Sequence, residues 1–183
     1  RCGWPIRKIR RRMTEADPLY NDWIHQQLRV QPDGLALYDL TADRPFSWRQ
    51  FNDRVDALAH RLIVEDVGPG DRVAYLGLNS SDVVEMFFAT VRIGAVYVPL
   101  NFRLTAPELS FIIGDCTPSA IFYDRAFQDV VEAIDTSVMP PVLIETALDG
   151  SDSGYEQCLI TDRGPMHAAP ANANTLSMIM YSS

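Results

Sequence analysis

The sequence predicts an α/β fold, with a mainly parallel sheet flanked by helices. The clearest evidence is a strand, helix, strand order within about 30 residues, which is typical of a βαβ crossover. Arg72–Leu78 and Ala95–Leu100 are nearly continuous apolar runs, and an amphipathic segment from Asp82 to Gly94 joins them. Similar strand-length runs alternate with helical periodicity along most of the chain, a pattern that favours helices on both faces of a parallel sheet.

The elements before this unit begin with a hairpin. Leu35–Leu40 and Pro45–Trp48 are short β-prone runs around a polar turn. Ser47 and Gln50 have the spacing of a capping box, so we expect a helix to begin there. Gly68 and Pro69 should end it. One apolar stripe at helical spacing comprises Phe51, Val55, Leu58, Ala59 and Leu62.

Beyond Leu100 the alternation continues. Thr105 and Glu108 form a third cap pattern after Asp82 with Glu85, and they predict a helix that runs to about Asp115. The remaining predicted elements are a strand at Ala120–Tyr123, a helix at Phe127–Ile134, a strand at Val142–Glu145, a connecting segment at about 146–175 and a buried strand at Leu176–Tyr181.

Composition excludes several classes of protein. The chain has 183 residues and a net charge of −8, which fits one domain and argues against nucleic-acid binding. No run of about 20 uncharged apolar residues predicts a transmembrane segment. The three cysteines, Cys2, Cys116 and Cys158, are too scattered for a disulfide framework or a zinc site. Reduced thiols indicate a cytoplasmic location.

The two ends of the chain differ from its body. Residues 1–12 hold six basic residues and no acidic one, and they include Lys8, the only lysine. We expect this segment to be a disordered extension before a natural start at Met13, or a functional anion-binding arm. At the other end the chain stops at Ser183, where a strand should lead into a turn.

Three positions follow predicted strands, where parallel sheets bind ligands. They are Asn79-Ser80-Ser81, Asn101-Phe102-Arg103 and Ser182-Ser183. Hydroxyl residues after a strand can open a phosphate-binding loop, although most such pairs are simple turns. Asp82 and Glu85 could be paired carboxylates, but helix capping is the better interpretation. The histidines, His25, His60 and His167, lack metal-ligand spacing, so no metal site is predicted.

Longer motifs resemble a known family. The segment Gly70–Ala74, the helix after Ser81 and above all the block Gly94–Leu109 (GAVYVPLNFRLTAPEL) are similar to the adenylate-forming, or AMP-binding, superfamily. This superfamily includes acyl- and aryl-CoA synthetases, luciferases and the adenylation domains of peptide synthetases. The resemblance extends over roughly residues 20–183, and Asn101 favours the CoA ligase branch. Tyr181-Ser182-Ser183 resembles the start of the family's ATP phosphate loop.

The resemblance implies a function and a set of ligands. The chain would be the first part of the large N-terminal domain of an acyl-CoA synthetase, acting on a small-molecule carboxylic acid with ATP, Mg²⁺ and coenzyme A. Ser182 and Ser183 would begin the loop that holds the ATP phosphates, and Arg103 would contact the nucleotide end of CoA. No catalytic residue is expected within the chain, because the loop's glycines and lysine and the catalytic lysine are missing. We therefore expect the 183 residues alone to be inactive.

Two other classes of function stay open at this stage. A non-catalytic nucleotide-binding module or an interaction domain could retain the same fold, since fold does not determine chemistry. An incomplete sheet would also expose a strand edge or an apolar face. We therefore expect the chain by itself to be marginally stable, aggregation-prone or oligomeric, for example a homodimer.

Overall fold

A computed structural model of the chain describes residues 23–160 and 175–181. The strands in these ranges are β1 (Leu35–Asp39), β2 (Arg44–Ser47), β3 (Arg72–Leu76), β4 (Val96–Leu100), β5 (Ala120–Asp124) and β6 (Val142–Thr146). The helices are α1 (Trp23–Val30), α2 (Trp48–Val64), α3 (Ser81–Arg92), α4 (Ala106–Cys116), α5 (Gln128–Glu132) and α6 (Gly154–Ile160). The predictions for residues 1–12, His167, Ser182 and Ser183 lie outside the described residues.

The predicted parallel sheet is confirmed. Four strands pair in the order β4-β3-β5-β6, and every pair is parallel. β3, α3 and β4 form the expected βαβ unit, in which Arg72 is in register with Val96. Gly94 ends the crossover helix segment with φ +74°, a left-handed conformation that glycine adopts without strain. β1 and β2 form the predicted antiparallel hairpin as a separate two-stranded sheet.

Helices cover both faces of the sheet, because side chains alternate along each strand. On β3, Val73 and Tyr75 point into a core shared with the hairpin, α1, α2, α3 and α6. Ala74 and Leu76 point to the opposite face, where they pack with α4 and the segment around α5. The chain is therefore a three-layer α/β structure, and loops from both helical layers meet the carboxyl edge of the sheet.

The two capping-box signals place the starts of α2 and α4 correctly. Both bonds of the Ser47–Gln50 capping box are present, and so are those of the box between Thr105 and Glu108. The predicted apolar stripe of α2 is buried. The helix ends at Val64, however, four residues before Gly68. Asp66 adopts φ +61° and turns the chain back, which buries Val67 in the core.

The end of the chain departs further from prediction. The stretch predicted as a connecting segment contains α6, whose Tyr155 is fully buried. Leu176–Tyr181 was expected to be a buried strand, and this is wrong. It makes a single parallel bridge between Met178 and Tyr97, with hydrogen bonds on both sides of Tyr97, and Leu176 and Met180 are exposed. Its outer side has no described neighbour to bury it.

Candidate functional site

The carboxyl edge of the sheet holds two of the three predicted ligand positions. The loop after β3 contains Asn79 and Ser80, and the loop after β4 contains Asn101, Phe102 and Arg103. The third position, Ser182-Ser183, lies outside the described residues. The two described loops differ in one respect. A carboxylate of the same chain occupies the loop after β3, whereas the loop after β4 presents an exposed arginine.

The loop after β3 is occupied by a carboxylate from the hairpin. The backbone N–H of Ser81 donates to Asp39 Oδ2 at 3.0 Å, and the Ser81 hydroxyl donates to the same oxygen at 2.7 Å. Burial opposes the ionisation of Asp39, but hydrogen bonds from Ala42, Ser81 and Thr41 outweigh it and lower the pKa of Asp39. A helix N-terminus attracts anions, and here Asp39 of the same chain takes that place.

The loop after β4 is rigid and open. The side-chain oxygen of Asn101 accepts the Arg103 N–H at 3.0 Å, and the Asn101 carbonyl accepts the Leu104 N–H at 3.1 Å. The capping box follows at once, since the Thr105 N–H donates to the Glu108 carboxylate at 2.8 Å. Hydrogen bonds from Thr105 lower the pKa of Glu108. The backbone of this loop is thus held by its own side chains.

Arg103 is the cation that this loop presents. Its side chain is exposed, and its guanidinium lies 5.4 Å from the centre of the Phe102 ring. In the part of the chain that the structure describes, no carboxylate lies within 4.0 Å of this guanidinium. A guanidinium has the planar, two-donor geometry that binds phosphate. The structure therefore leaves the Arg103 cation available for an anionic ligand just after the carboxyl end of β4.

Tyr181 ends the described segment that leads to the third position. Its hydroxyl donates to Asp115 Oδ2 at 2.6 Å, and this bond raises the pKa of Tyr181. The side chain packs with α4 and the Ala74 face of the sheet. Residues 177–181 are therefore anchored to β4 by backbone bonds and to α4 by a side chain.

A buried ion cluster lies behind the carboxyl edge, and periodicity alone did not predict it. It comprises Arg44, Arg54, Asp82, Glu85 and Glu156. Glu85 is fully buried and accepts hydrogen bonds from Arg54 Nε and from the Tyr155 hydroxyl, each at 2.6 Å. Both terminal nitrogens of Arg54 bind the Glu156 carboxylate at 2.9 Å.

The cluster corrects the interpretation of Asp82 and Glu85 as cap residues. The N-cap of α3 is Ser80, whose own side chain makes no capping hydrogen bond, and the Ser81 N–H donates to Asp39 of the hairpin instead. The two carboxylates instead point into the interface between α2, α3 and α6. What determines the position of Asp82 and Glu85 is their pairing with Arg54 in a cluster that also contains Glu156. Arg54 and Glu156 are far from them in the sequence, so no local spacing predicts the pairing.

The pKa values in the cluster are strongly shifted. Burial raises the pKa of Asp82 to about 7, the charge of Glu85 adds to this, and Arg54 opposes it. Burial also raises the pKa of Glu85 against the effect of Arg54. For Glu156, burial is outweighed by hydrogen bonds from Arg54 and Arg44, so its pKa is lowered.

Shifted carboxylates can mark a catalytic site, but structural networks shift them as well. Both oxygens of Glu85 are occupied by protein groups, and Asp82 is almost completely buried. An open cleft of about 410 Å³ borders the cluster, and its wall contains the already paired Arg44 and Arg54. The cluster is therefore a structural clamp that joins the hairpin and α6 to α2 and α3.

Residues 23–160 and 175–181 contain no group of three or more His, Cys, Asp or Glu side chains that could hold a metal ion. The same ranges contain no helix with the length and apolar character needed to cross a membrane. The described thiols, Cys116 and Cys158, form no disulfide.

Known proteins similar to this chain include acid–CoA ligases and an acid–[acyl-carrier-protein] ligase. The sequence is 31% identical to an indoleacetate–CoA ligase of Aromatoleum aromaticum, over 74% of this chain and 26% of the relative. It is 33% identical to the long-chain-fatty-acid–CoA ligase FadD13 of Mycobacterium tuberculosis, over 73% and 26%. It is 36% identical to the fatty acid–[acyl-carrier-protein] ligase ScoC of Streptomyces coeruleorubidus, over 72% and 25%. The chain thus spans about a quarter of the length of these relatives.

Solved structures agree with these relatives. The inhibitor-bound N-terminal domain of FACL13 from Mycobacterium tuberculosis superposes with a TM-score of 0.76 at 29% identity, over 87% of this chain and 40% of that one. ATP-bound MatB from Rhodopseudomonas palustris gives 0.74 at 28%, over 83% and 30%. A family model described as AMP-binding enzyme matches residues 24–183. The relatives of this chain include acyl- and aryl-CoA ligases, and the chain therefore belongs to the AMP-binding enzyme family.

Proposed function

We propose that this chain is the amino-terminal part of an ATP-dependent acyl- or aryl-CoA synthetase. The supporting observation is the family match over residues 24–183, together with relatives named as ligases of fatty acids and of indoleacetate. These relatives use different acids, so the family match supports the reaction class and leaves the acid open.

The reaction has two steps. A carboxylate oxygen attacks the α-phosphorus of ATP, the α–β phosphoanhydride bond breaks, and acyl-adenylate and pyrophosphate form. The thiol of CoA, losing its proton, then attacks the acyl carbon and displaces AMP. Adenylation is needed because AMP is a far better leaving group than the oxide or hydroxide of the free acid. The described residues offer no group of three or more His, Cys, Asp or Glu side chains that could hold Mg²⁺.

Two positions of this chain have proposed roles in binding. Ser182 and Ser183 would begin the loop that wraps the ATP phosphates, through hydroxyl and backbone N–H donors. Arg103 would bind a phosphate of the CoA nucleotide from the mouth of β4. Its exposure, its rigid loop and the absence of a carboxylate partner in the described ranges support this role.

The test uses the full-length protein in two separate assays. ATP–pyrophosphate exchange with a panel of fatty and aromatic acids measures adenylation, and thioester formation with CoA or an acyl carrier protein measures transfer. The carrier protein is included because one relative is named as a ligase for that acceptor. We expect exchange with at least one acid, followed by transfer to CoA. Binding of ATP without exchange for any acid would instead favour a non-catalytic nucleotide-binding module.

Arg103 is tested by the substitution Arg103→Ala. We expect the KM for CoA to rise about 10-fold, since a charge-assisted hydrogen bond is lost, while pyrophosphate exchange stays unchanged. Arg49→Ala is the matched control, because Arg49 is an exposed arginine on α2 that pairs with Asp33 at 3.2 Å. An equal KM for CoA in both variants would remove Arg103 from the CoA site.

Other properties stay predictions. The 183-residue chain by itself should release no pyrophosphate from ATP and an acid. A cytoplasmic location and homodimer formation also stay predictions from the sequence.

A further inference from the structure

One aromatic ring lies against the exposed cation of the β4–α4 loop, and a second ring lies against the first. The Phe102 ring has the Arg103 guanidinium at 5.4 Å from its centre, and the centre of the Phe127 ring is 5.9 Å away at an angle of 49°. Phe102 is 38% exposed, so its ring stays partly open to solvent although it contacts both Arg103 and Phe127. Phe127 ends a short turn after β5, which is separated from β4 by β3, so the support comes from across the carboxyl edge of the sheet.

This arrangement addresses a problem of entropy. An exposed arginine samples many rotamers, and binding an anion would restrict them. A cation above an aromatic face is attracted electrostatically by the ring quadrupole. This attraction uses none of the guanidinium's N–H groups, so they stay available as hydrogen-bond donors. The Asn101 side chain fixes the Arg103 backbone at the same time. Backbone and side chain are thus both restrained before any ligand arrives.

The restraint has no structural purpose visible in the described part of the chain. No carboxylate there lies within 4.0 Å of the Arg103 guanidinium, so Phe102 does not serve to complete an ion pair. By contrast, Arg44 and Arg54 also lie over a ring, Phe46, at 5.3 and 5.2 Å, but each is bound to Glu156. At Phe46, therefore, the cation–π contacts are made by arginines that already form ion pairs. At Phe102 the contact is made by an arginine that has no carboxylate within 4.0 Å among the described residues.

Resting on the proposed function, we infer that Phe102, supported by Phe127, is a positioning residue for CoA binding. It holds the Arg103 guanidinium, just after the carboxyl end of β4, in the orientation in which its N–H groups donate to a phosphate of the CoA nucleotide. Phe102 acts through Arg103 and makes no contribution to adenylation.

The test is a double-mutant cycle in the full-length protein, with Phe102→Leu, Arg103→Ala and the double variant. Leucine keeps an apolar contact with Phe127 but removes the aromatic face. We expect Phe102→Leu to raise the KM for CoA about 2- to 5-fold, the range typical of an exposed cation–π contact. In the Arg103→Ala background the same change should add nothing. Pyrophosphate exchange and kcat at saturating CoA should stay unchanged in all three variants.

Two further variants separate positioning from general damage. Phe102→Tyr keeps the ring face and should restore the wild-type KM for CoA. Phe111→Leu changes a phenylalanine on α4 that is 74% exposed and should leave the KM for CoA unchanged. Effects of Phe102→Leu that add fully to those of Arg103→Ala, or that reduce pyrophosphate exchange, would overturn the inference.

The outcomes also distinguish the inference from the function on which it rests. A wild-type protein without pyrophosphate exchange for any acid would refute the proposed function itself. A wild-type protein that makes acyl-CoA, with a KM for CoA insensitive to Phe102→Leu, would leave the function standing and refute the positioning role.

Discussion

Arg54 is the cation on which the buried clamp depends most directly. Its side chain is 16% exposed, its Nε donates to Glu85, and its two terminal nitrogens donate to Glu156. The substitution Arg54→Met keeps an unbranched apolar stem near Phe46, while the positive charge and all three hydrogen bonds are lost. Glu85 then stays fully buried without a cation in contact with it.

The size of the effect follows from this desolvated charge. Removing one partner of a buried ion pair costs about 3–5 kcal/mol, because the other charge is left uncompensated. A chain of this length loses about 2–4 °C in Tm per kcal/mol, so we expect Tm to fall by roughly 6–20 °C. The double variant Arg54→Met with Glu85→Leu should recover part of this loss, since an apolar pair replaces an unpaired charge.

Thermal and urea unfolding of the purified protein, followed by circular dichroism, measures the change. Arg49→Met is the matched control on the same helix, where Arg49 and Asp33 are 57% and 81% exposed. Exposed pairs contribute little to stability, so this variant should unfold like the wild type. Equal shifts for the two variants, or a double variant less stable than Arg54→Met, would show that the clamp does not carry the stability assigned to it.

Three further changes, one of them with a matched control, test other features of the fold. Because the pKa of Asp82 is about 7 against 3.8 for the unfolded chain, rising pH removes a proton from the unfolded state first and destabilises the native state between about pH 4 and 7. The unfolding free energy of Asp82→Asn relative to wild type should therefore increase across this window in urea titrations, and a flat difference would contradict the shift. Gly77→Ala should destabilise by about 1–3 kcal/mol, as a Cβ would lie 2.9 Å from the Cβ of Asp124. Gly68→Ala, with nothing within 4 Å of the new Cβ, should unfold like the wild type in the same assay. Ser47→Ala should cost about 0.5–2 kcal/mol through loss of the α2 cap, and an unchanged urea midpoint would refute it.

Helix starts and the parallel strands were predictable because their signals are local. The Ser47–Gln50 and Thr105–Glu108 boxes use partners three residues apart, and the apolar runs of β3 and β4 reflect burial on both faces. Helix ends were less predictable. α2 stops at Val64 because burial of Val67 turns the chain at Asp66, before the glycine that the pattern indicated.

The clamp could not be predicted from local spacing. Arg54 and Glu156 are 102 residues apart, and Glu85 and Tyr155 are 70 apart, so only the tertiary fold brings them together. Without those partners, Glu85 has the position of a cap residue, and α6 looks like part of a polar linker. Arg103 was singled out from its place after an apolar strand, whereas its support by Phe102 and Phe127 required the relative positions of β4 and β5, which β3 separates.

The bridge between Tyr97 and Met178 has a consequence for synthesis of the protein. Both hydrogen-bonding groups of Tyr97 on that side are satisfied by residues that leave the ribosome about 80 residues later. At roughly 5–20 residues per second, the nascent chain carries an apolar edge strand whose outer edge is unpaired for about 4–16 s. During that interval β4 is a natural target for chaperones and for mispairing with other growing chains.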